Sequence, residues 1–259
     1  MLKLTNKNYH GTVANIEYWS VSQFKAFDKC EAAGLAAVRG EYERESTVSL
    51  MVGSYIDAFF SGDMSDFIAE HPEIFNSRTG ELKADYRKAD DIISYIQNDP
   101  LMTEYLTGAP QTIMTGELFG VPWKIKSDFL RPERIVDLKI VKDFEPIFQD
   151  GFGWRPWVEY WGYDIQGAIY QEIIRQNTGE RLPFYLVAAT KEKNPDKDVI
   201  QITQPVLDAA MKIVEAKIDR FDLIKTGEIE PKRCESCDYC KQTKILTAPS
   251  IYERENYDG

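Results

Sequence analysis

Three residues whose side chains could take part in catalysis or metal binding lie within sequence that otherwise favours β-strands. They are Asp128, Asp137 and Lys139. Aspartate is a poor strand former, yet Asp137 lies among apolar residues in the run 135–140. Side chains alternate along a strand, so Asp137 and Lys139 are predicted to share one face. Two carboxylates beside an ammonium suit a hard cation with a water molecule next to it. The alternative is a cross-strand salt bridge on an exposed face.

These residues belong to a stretch, 112–143, whose pattern is typical of an antiparallel meander. Runs of β-type residues over 113–118, 122–130 and 134–141 are separated by turn residues at 119–120 and 131–133. Alternation between turn residues predicts three consecutive strands. Asp128 then lies near the end of the second strand, and Asp137 in the middle of the third.

Asp128 followed by Asp137-Leu138-Lys139 resembles the D…(D/E)xK motif of the PD-(D/E)XK nuclease superfamily. The stretch resembles the branch with exodeoxyribonuclease VIII (RecE), lambda-type exonuclease and RecB-type nuclease domains. A lone motif of this kind arises by chance in many chains, so the resemblance depends on other segments. It extends over most of the chain outside roughly 61–111.

Two helical motifs support the resemblance. The segment 20–30 begins with a serine cap, carries Phe24 and Phe27 at helical spacing, and resembles the opening SxSQLxxFxxCP helix of RecB-type nucleases, although Glu31 replaces the proline. Gln166 and Tyr170 lie four apart on a helix predicted over 158–177 and match the QxxxY motif of those nucleases. The resemblance implies that this pair contacts DNA; the alternative is a core tyrosine with a polar rim.

The metal ligands implied by the resemblance include a departure from the family. The exodeoxyribonuclease VIII branch places a histidine at the metal from a GxxxHxxL helix, and here Gly53 is followed by Asp57 at that position. A carboxylate suits Mg²⁺ or Mn²⁺ at least as well as an imidazole. The implied set is Asp57, Asp128 and Asp137 with the backbone carbonyl of Ile140. Alternatively, Asp57 only occupies an early helical turn, where negative charge is favoured.

The resemblance also assigns roles to nearby charged residues. Lys139 would orient or help to deprotonate the attacking water and stabilise charge on the phosphate. Glu117, in the first predicted strand, is either an additional acid near the metal or a strand-surface residue. Candidate phosphate contacts, which could equally form a solvated strand edge, are Lys124, Lys126, Arg131 and Arg134.

The four cysteines, Cys30, Cys234, Cys237 and Cys240, include a Cys-x₂-Cys-x₂-Cys run suited to wrapping a metal or a cluster. RecB-type relatives that hold an iron–sulfur cluster use one N-terminal and three C-terminal cysteines, with a wider final spacing than here. A [4Fe–4S] cluster, Zn²⁺ and free reduced thiols are all open interpretations. In each case we predict that Cys30 lies close to the C-terminal cysteines.

The order of helix, three-strand meander, helix and a strand over 183–190 predicts an α/β fold. It is the αβββαβ core of the restriction-endonuclease-like fold, with a mixed central sheet flanked by helices and N-terminal helical additions. A strand over 199–203 and a helix over 205–226 follow. We expect a single domain, 1–259, with a peripheral helical insertion at about 61–111 and a Cys-rich tail at 231–259.

Composition narrows the class of protein. The chain has 259 residues, mixed charge and no apolar run of membrane length, which predicts a cytoplasmic protein that does not enter membranes. A net charge of −11 argues against a generally basic nucleic-acid coat but permits a local basic groove. The two isolated histidines, His10 and His71, argue against a His-centred triad.

The resemblance implies a Mg²⁺- or Mn²⁺-dependent DNA exonuclease that acts on linear duplex ends, as phages and prophages use in recombination. It also implies a single-strand annealing protein as a partner, and the chain could form a homo-oligomer. Two alternatives are a non-catalytic DNA-binding or assembly protein that kept the fold, and a site-specific endonuclease. The aspartate at position 57, in place of histidine, keeps the non-catalytic alternative open.

Overall fold

A five-stranded mixed sheet forms the centre of the protein in a computed structural model that describes residues 2–43, 45–249 and 251. The sheet order is β1-β2-β3-β6-β7; β3 and β6 are parallel and the other neighbours antiparallel. The predicted α/β fold with a mixed central sheet is confirmed. The strands are β1 Ala109–Leu118, β2 Val121–Arg131, β3 Arg134–Val141, β4 Ile147–Gln149, β5 Gly153–Arg155, β6 Phe184–Thr190 and β7 Lys197–Ile202, of which β4 and β5 form a separate hairpin.

Helices cover both faces of the sheet. Within the described residues, none is both long and apolar enough to span a membrane. The helices are α1 Thr12–Glu17, α2 Val21–Lys29, α3 Glu31–Arg39, α4 Val48–Ser61, α5 Met64–Glu70, α6 Ala84–Gln97, α7 Pro100–Tyr105, α8 Trp157–Tyr160, α9 Tyr163–Thr178, α10 Gln204–Thr226 and α11 Asp238–Gln242, with a 3₁₀ turn at Pro72–Ile74.

One face of the sheet packs against α2, α9 and α10. Ile165, Ile169 and Ile173 recur at helical spacing on α9 and are buried there against strand residues such as Ile135 and Phe184. The helix predicted over 158–177 is divided into α8 and α9 at Gly162, whose φ of 63° is accessible to glycine at little cost. The crossover from β3 to the parallel strand β6 therefore runs through α9, as a parallel connection requires.

The opposite face packs against α4 and α6, which corrects the expectation that residues 61–111 are peripheral. Ile92, Ile93 and Ile96 of α6 are buried in one cluster with Val136 of β3 and Val187 of β6. The amphipathic pattern of this helix was visible in the sequence, but its partner surface was not. Residues 61–111 thus contribute to the second helical layer of the domain core.

The strands diverge where the acidic residues lie. The β2–β3 ladder joins only the three pairs nearest the turn, whereas β3 pairs with β6 from Ile135 to Val141. On the other side of β2, the β1–β2 ladder is interrupted opposite Asp128, where Gln111 has a φ of 47°. Asp128 therefore lies at a gap in the hydrogen-bonded sheet, which frees backbone and side-chain groups for a site.

Candidate active site

Asp137 and Lys139 form the centre of the candidate site. Asp137 is almost completely buried, and its Oδ2 atom forms an ion pair with the Nζ atom of Lys139. Its Oδ1 atom accepts a hydrogen bond of 2.6 Å from Nε2 of Gln166 on α9. The contact between Asp137 and Lys139 agrees with the predicted common strand face. The protein therefore orients both oxygens of this carboxylate.

Lys139 lies in surroundings that favour its charged form. Burial alone lowers the pKa of Lys139, but the carboxylates of Asp137 and Asp128 outweigh burial and raise the pKa above its ordinary value. The ammonium also lies 5.1 Å from the centre of the Tyr163 ring, a distance at which the ring attracts a cation. Lys139 is thus held as a cation beside the acidic residues.

A cleft of about 270 Å³ brings Asp57 and Asp128 together. Asp128 accepts a 2.9 Å hydrogen bond from the backbone N–H of Leu138, and Oδ2 of Asp57 accepts one of 3.4 Å from Gln111. Oδ1 of Asp57 is buried and has no hydrogen-bond partner among the residues that the structure describes. The remaining lining residues are Leu50, Gly53, Ser54, Leu138, Lys139 and Ile140.

The acids of the cleft have perturbed pKa values. Burial, followed by the charges of Asp137 and Asp57, raises the pKa of Asp128 well above its ordinary value. Burial and then the charge of Asp137 raise the pKa of Asp57 as well. Carboxylates crowded in this way are stabilised by a nearby cation.

The residues present fit a divalent metal ion. The carboxylates of Asp57 and Asp128 line the cleft beside Ile140, and Asp137 adjoins it through the ion pair with Lys139. Carboxylate and carbonyl oxygens are the hard ligands that Mg²⁺ and Mn²⁺ prefer. The buried Oδ1 of Asp57 is an acceptor without a donor, which a cation would satisfy.

A family model described as "PDDEXK-like domain of unknown function (DUF3799)" matches residues 20–243. The chain belongs to this family. The chain is 44% identical in sequence to a protein named "Putative exonuclease" from Eubacterium rectale. The crystal structure of that protein matches this one with a TM-score of 0.93 over 97% of each chain. No curated protein matches. Membership of the PD-(D/E)XK superfamily is thus confirmed, and the exodeoxyribonuclease VIII branch and phage origin stay predictions.

The glutamine–tyrosine pair on α9 of this PDDEXK-like domain is buried. Gln166 bonds to Asp137 as described, and the Tyr170 hydroxyl donates a 2.9 Å hydrogen bond to the carbonyl of Lys126 on β2. The side chains therefore position the two acid-bearing strands. Both side chains are mostly buried and hydrogen-bonded within the protein, which agrees with the alternative of a core tyrosine with a polar rim, and the contact with DNA stays a prediction.

Two residues that were predicted to belong to the site do not contribute to it. Lys124 is 1% exposed, and its ammonium donates to the Tyr9 carbonyl and to Asn15, so it is not available to a phosphate. Glu117 is exposed and pairs with Pro122, six residues along β1 from Gln111. At about 3.3 Å per residue, Glu117 lies roughly 20 Å from that point, which is too far to approach a metal in the cleft.

The other basic candidates differ in their availability. Arg131 forms an ion pair with Glu133 at 2.7 Å, and Arg134 forms one with Glu104 at 3.1 Å, so both guanidinium groups have acidic protein partners. Lys126 is half-buried, with Nζ 5.6 Å from the Tyr9 ring centre. Of the four, Lys126 is the one whose cationic group has neither an ion pair nor a hydrogen bond among the described residues, so its contact with a phosphate stays a prediction.

Sequence reasoning missed Gln111, Lys25 and Tyr163. The ammonium of Lys25 donates to the Trp161 carbonyl at 3.0 Å and lies 5.4 Å from the centre of the Tyr163 ring, which Lys139 also approaches. Burial, and then the charge of Lys139, lowers the pKa of Lys25 to about 8. These contacts cross long sequence separations, so no local pattern could have indicated them.

The four cysteines form a second cluster, with all four sulfur atoms within 4.8 Å of one another. The Sγ atoms of Cys30 and Cys240 are 3.6 Å apart. The predicted proximity of Cys30 to the C-terminal cysteines is therefore confirmed. The residues of the predicted tail at 250 and 252–259 lie outside the described residues.

Proposed function

We propose that this PDDEXK-like protein is a metal-dependent nuclease that hydrolyses phosphodiester bonds from the ends of DNA. The observation that carries the proposal is the meeting of Asp57 and Asp128 in one cleft with the Asp137–Lys139 ion pair. Clustered acids with perturbed pKa values beside a mostly buried lysine are typical of functional sites. The family and the name of the Eubacterium rectale protein support the same reaction class.

Asp57, Asp128 and Asp137, with the carbonyl of Ile140, would hold Mg²⁺ or Mn²⁺ in this cleft. A divalent cation there would polarise the scissile phosphate and lower the pKa of a bound water. Among the residues that line the cleft, Leu50 and Ser54 are exposed and Lys139 is partly exposed, so a phosphate could enter beside them.

Lys139 supplies the chain's own contribution to the reaction. Its N–H groups would orient the attacking water and donate to the phosphate oxygen on which charge grows. Asp137 fixes the position of this ammonium, and Gln166 fixes the carboxylate of Asp137 from α9. The donors are therefore in place before the substrate binds, which reduces reorganisation during the reaction.

The preference for DNA ends rests on the resemblance of the motifs to the exodeoxyribonuclease VIII branch and on the name of the similar crystal structure. A role in recombination, a single-strand annealing partner, a homo-oligomeric state and a cytoplasmic location belong to the same proposal. The recombination role and the annealing partner follow from the family resemblance, and the cytoplasmic location follows from the composition of the chain. None of these adds a requirement to the chemistry of the site.

The substrate preference is tested by incubating the protein and Mg²⁺ with two DNAs of the same sequence, a linear duplex and a covalently closed circle. We expect mononucleotides or short products from the linear DNA and no nicking of the circle. Discrete fragments from the circle would identify an endonuclease instead. Binding of linear DNA without hydrolysis, in Mg²⁺ and in Mn²⁺, would identify a non-catalytic DNA-binding protein.

A further inference from the structure

The cysteine cluster lies between two segments that are distant in the sequence. Cys30 stands at the junction of α2 and α3, and the other three cysteines lie at and just before α11. Cys30 and Cys240 are buried and pack with Ala32 in a small core of their own. All four thiols are free, so no disulfide accounts for their approach.

The distances between sulfur atoms discriminate between a single ion and a cluster. A tetrahedral ion with metal–sulfur bonds of about 2.3 Å separates its sulfur ligands by about 3.8 Å. The observed separations are 3.6 Å for Cys30–Cys240 and 3.9 Å for Cys234–Cys240, and no pair in the set exceeds 4.8 Å. In a [4Fe–4S] cluster each cysteine binds a different iron, so the cysteine sulfurs must stand further apart than here.

The loops around the cysteines are already arranged for thiolate ligands. The backbone N–H of Cys237 donates to the sulfur of Cys234 at 3.3 Å, and the N–H of Cys240 donates to the sulfur of Cys237 at 3.5 Å. The Ser236 hydroxyl donates to the sulfur of Cys234. Such donors stabilise negative charge on metal-bound sulfur, and they act here without any rearrangement of the chain.

We propose that Cys30, Cys234, Cys237 and Cys240 bind one Zn²⁺ in a tetrahedral thiolate site, and that this site does not hold an iron–sulfur cluster. A set of four thiolates with no open position is typical of a structural zinc ion. The inference differs from the cluster that the RecB-type resemblance implied and does not depend on the proposed nuclease function.

The zinc ion would fasten the C-terminal segment to α2 and α3. Hydrogen bonds already join these parts: the N–H of Lys232 donates to Glu31 at 2.6 Å, and the N–H of Ala32 donates to the Lys232 carbonyl at 3.1 Å. Closing a loop of about two hundred residues restricts the unfolded chain, so bound zinc stabilises the folded protein. Because α2 also carries Lys25, the zinc site would help to hold that lysine near Lys139.

Metal analysis of protein purified anaerobically, without a metal-affinity step, tests the proposal. We expect about one zinc per chain, no iron and no acid-labile sulfide. Protein reconstituted with Co²⁺ should show thiolate-to-cobalt charge transfer and the intense visible bands of a tetrahedral site. Stoichiometric iron with sulfide would overturn the assignment, and so would metal-free protein with four titratable thiols that fails to take up Zn²⁺ or Co²⁺.

Variants separate ligand loss from general disturbance of the segment. Cys237→Ser should lose zinc and lower the Tm, while the neighbouring exposed Asp238→Ser should retain about one zinc and the wild-type Tm. If Cys237→Ser fails to fold, removal of zinc from the wild-type protein with a strong chelator gives the same comparison. Zinc that a brief chelator wash removes without any change in Tm would contradict a structural site.

Discussion

The Asp137 carboxylate has a protein partner on each oxygen, whereas Asp57 has a buried oxygen with none among the described residues. This asymmetry divides the roles of the acids at the scale of single residues. Asp137 is held mainly as the partner of Lys139, and Asp57 offers an acceptor that is ready for a cation. An unpartnered oxygen of Asp57 is what the proposed metal ion would need, and the resemblance implied that role for this position.

Asp57→Ala should weaken Mn²⁺ binding because it removes an oxygen ligand from a site with few of them. We expect at least about a tenfold rise in Kd by isothermal titration calorimetry. Asp57→His, which introduces the histidine of the exodeoxyribonuclease VIII branch, should retain measurable binding. The exposed Asp63→Ala controls for the loss of one nearby negative charge and should leave the Kd unchanged. An unaltered Kd for Asp57→Ala would remove Asp57 from the site.

At the scale of elements, α9 connects the core to the site, and two of its buried glutamines allow a matched test. Gln166 bonds to Asp137, whereas Gln171 bonds to the Leu182 carbonyl and to Gln204. Replacing either by leucine leaves a buried acceptor unpaired, which costs about 1–3 kcal/mol of stability. Only Gln166→Leu should also reduce hydrolysis, by roughly 10- to 100-fold.

Urea unfolding and single-turnover hydrolysis of the two variants check this prediction together. Equal losses of activity in Gln166→Leu and Gln171→Leu would show that α9 acts only through stability. Full activity in Gln166→Leu would show that Asp137 needs no support from the helix.

Two glycines test the packing of the helical layers. A Cβ atom on Gly167 of α9 would lie 2.6 Å from Phe184 and 2.9 Å from Leu207, whereas one on Gly53 of α4 meets nothing within 4 Å. Gly167→Ala should therefore destabilise the protein by about 1–3 kcal/mol through overpacking. Gly53→Ala should stabilise it by up to about 1 kcal/mol, since alanine favours helix. Urea midpoints measure both, and an unchanged midpoint for Gly167→Ala would contradict this packing.

Local sequence patterns predicted the helices and strands well and the positions of individual site residues less well. The meander, α2 with its Ser20 cap, the C-terminal end of α9 and β6 occur close to the predicted bounds, because alternation and helical spacing encode burial directly. The phosphate contact predicted for Lys124 was wrong because both faces of β2 are covered at that point, with Tyr9 of the N-terminal segment above the lysine. Of the two roles left open for Glu117, that of an acid near the metal was wrong. Its distance from the site depends on strand register, which the alternation of residues does not supply.

At the scale of the whole molecule, the sheet separates two helical layers that meet the site from opposite sides. Gln166 of α9 approaches Asp137 from one layer, and Asp57 of α4 approaches the cleft from the other. The sequence could not show this arrangement, since the helices between residues 61 and 111 had an apolar face but no evident partner. The site therefore depends on the integrity of both layers.

One buried and one partly buried lysine give the stability of the protein a predictable dependence on pH. Burial lowers the pKa of Lys124 to about 8 and that of Lys225 to about 7, against an ordinary value of 10.5. Between these lowered pKa values and 10.5, the unfolded chain binds protons that the folded chain does not. The stability of the fold therefore rises with pH across this range, and it is lost as pH falls through the pKa of each lysine in the folded protein. Urea unfolding at several values between pH about 7 and about 10 should show this rise.

Lys225→Met should flatten the rise, because it removes one of the titrating groups, and the exposed Lys142→Met should not. The comparison is of slopes with pH, so the hydrogen bonds that Lys225 makes to Tyr18 and Gln23 do not affect its interpretation. An identical slope in Lys225→Met and wild type would show that Lys225 is charged in the folded protein throughout this range.

The most direct test of the proposed nuclease centre compares Lys139→Ala with Lys142→Ala in single-turnover hydrolysis of an end-labelled linear duplex in Mg²⁺. The Lys139 side chain is 19% exposed and pairs with Asp137, whereas Lys142 lies three residues further on with a side chain that is 93% exposed. We expect Lys139→Ala to reduce the rate about 100- to 1000-fold while it remains folded, because the donor to the phosphate is lost. Lys142→Ala should match the wild-type rate, and a wild-type rate in Lys139→Ala would contradict the assignment of this site.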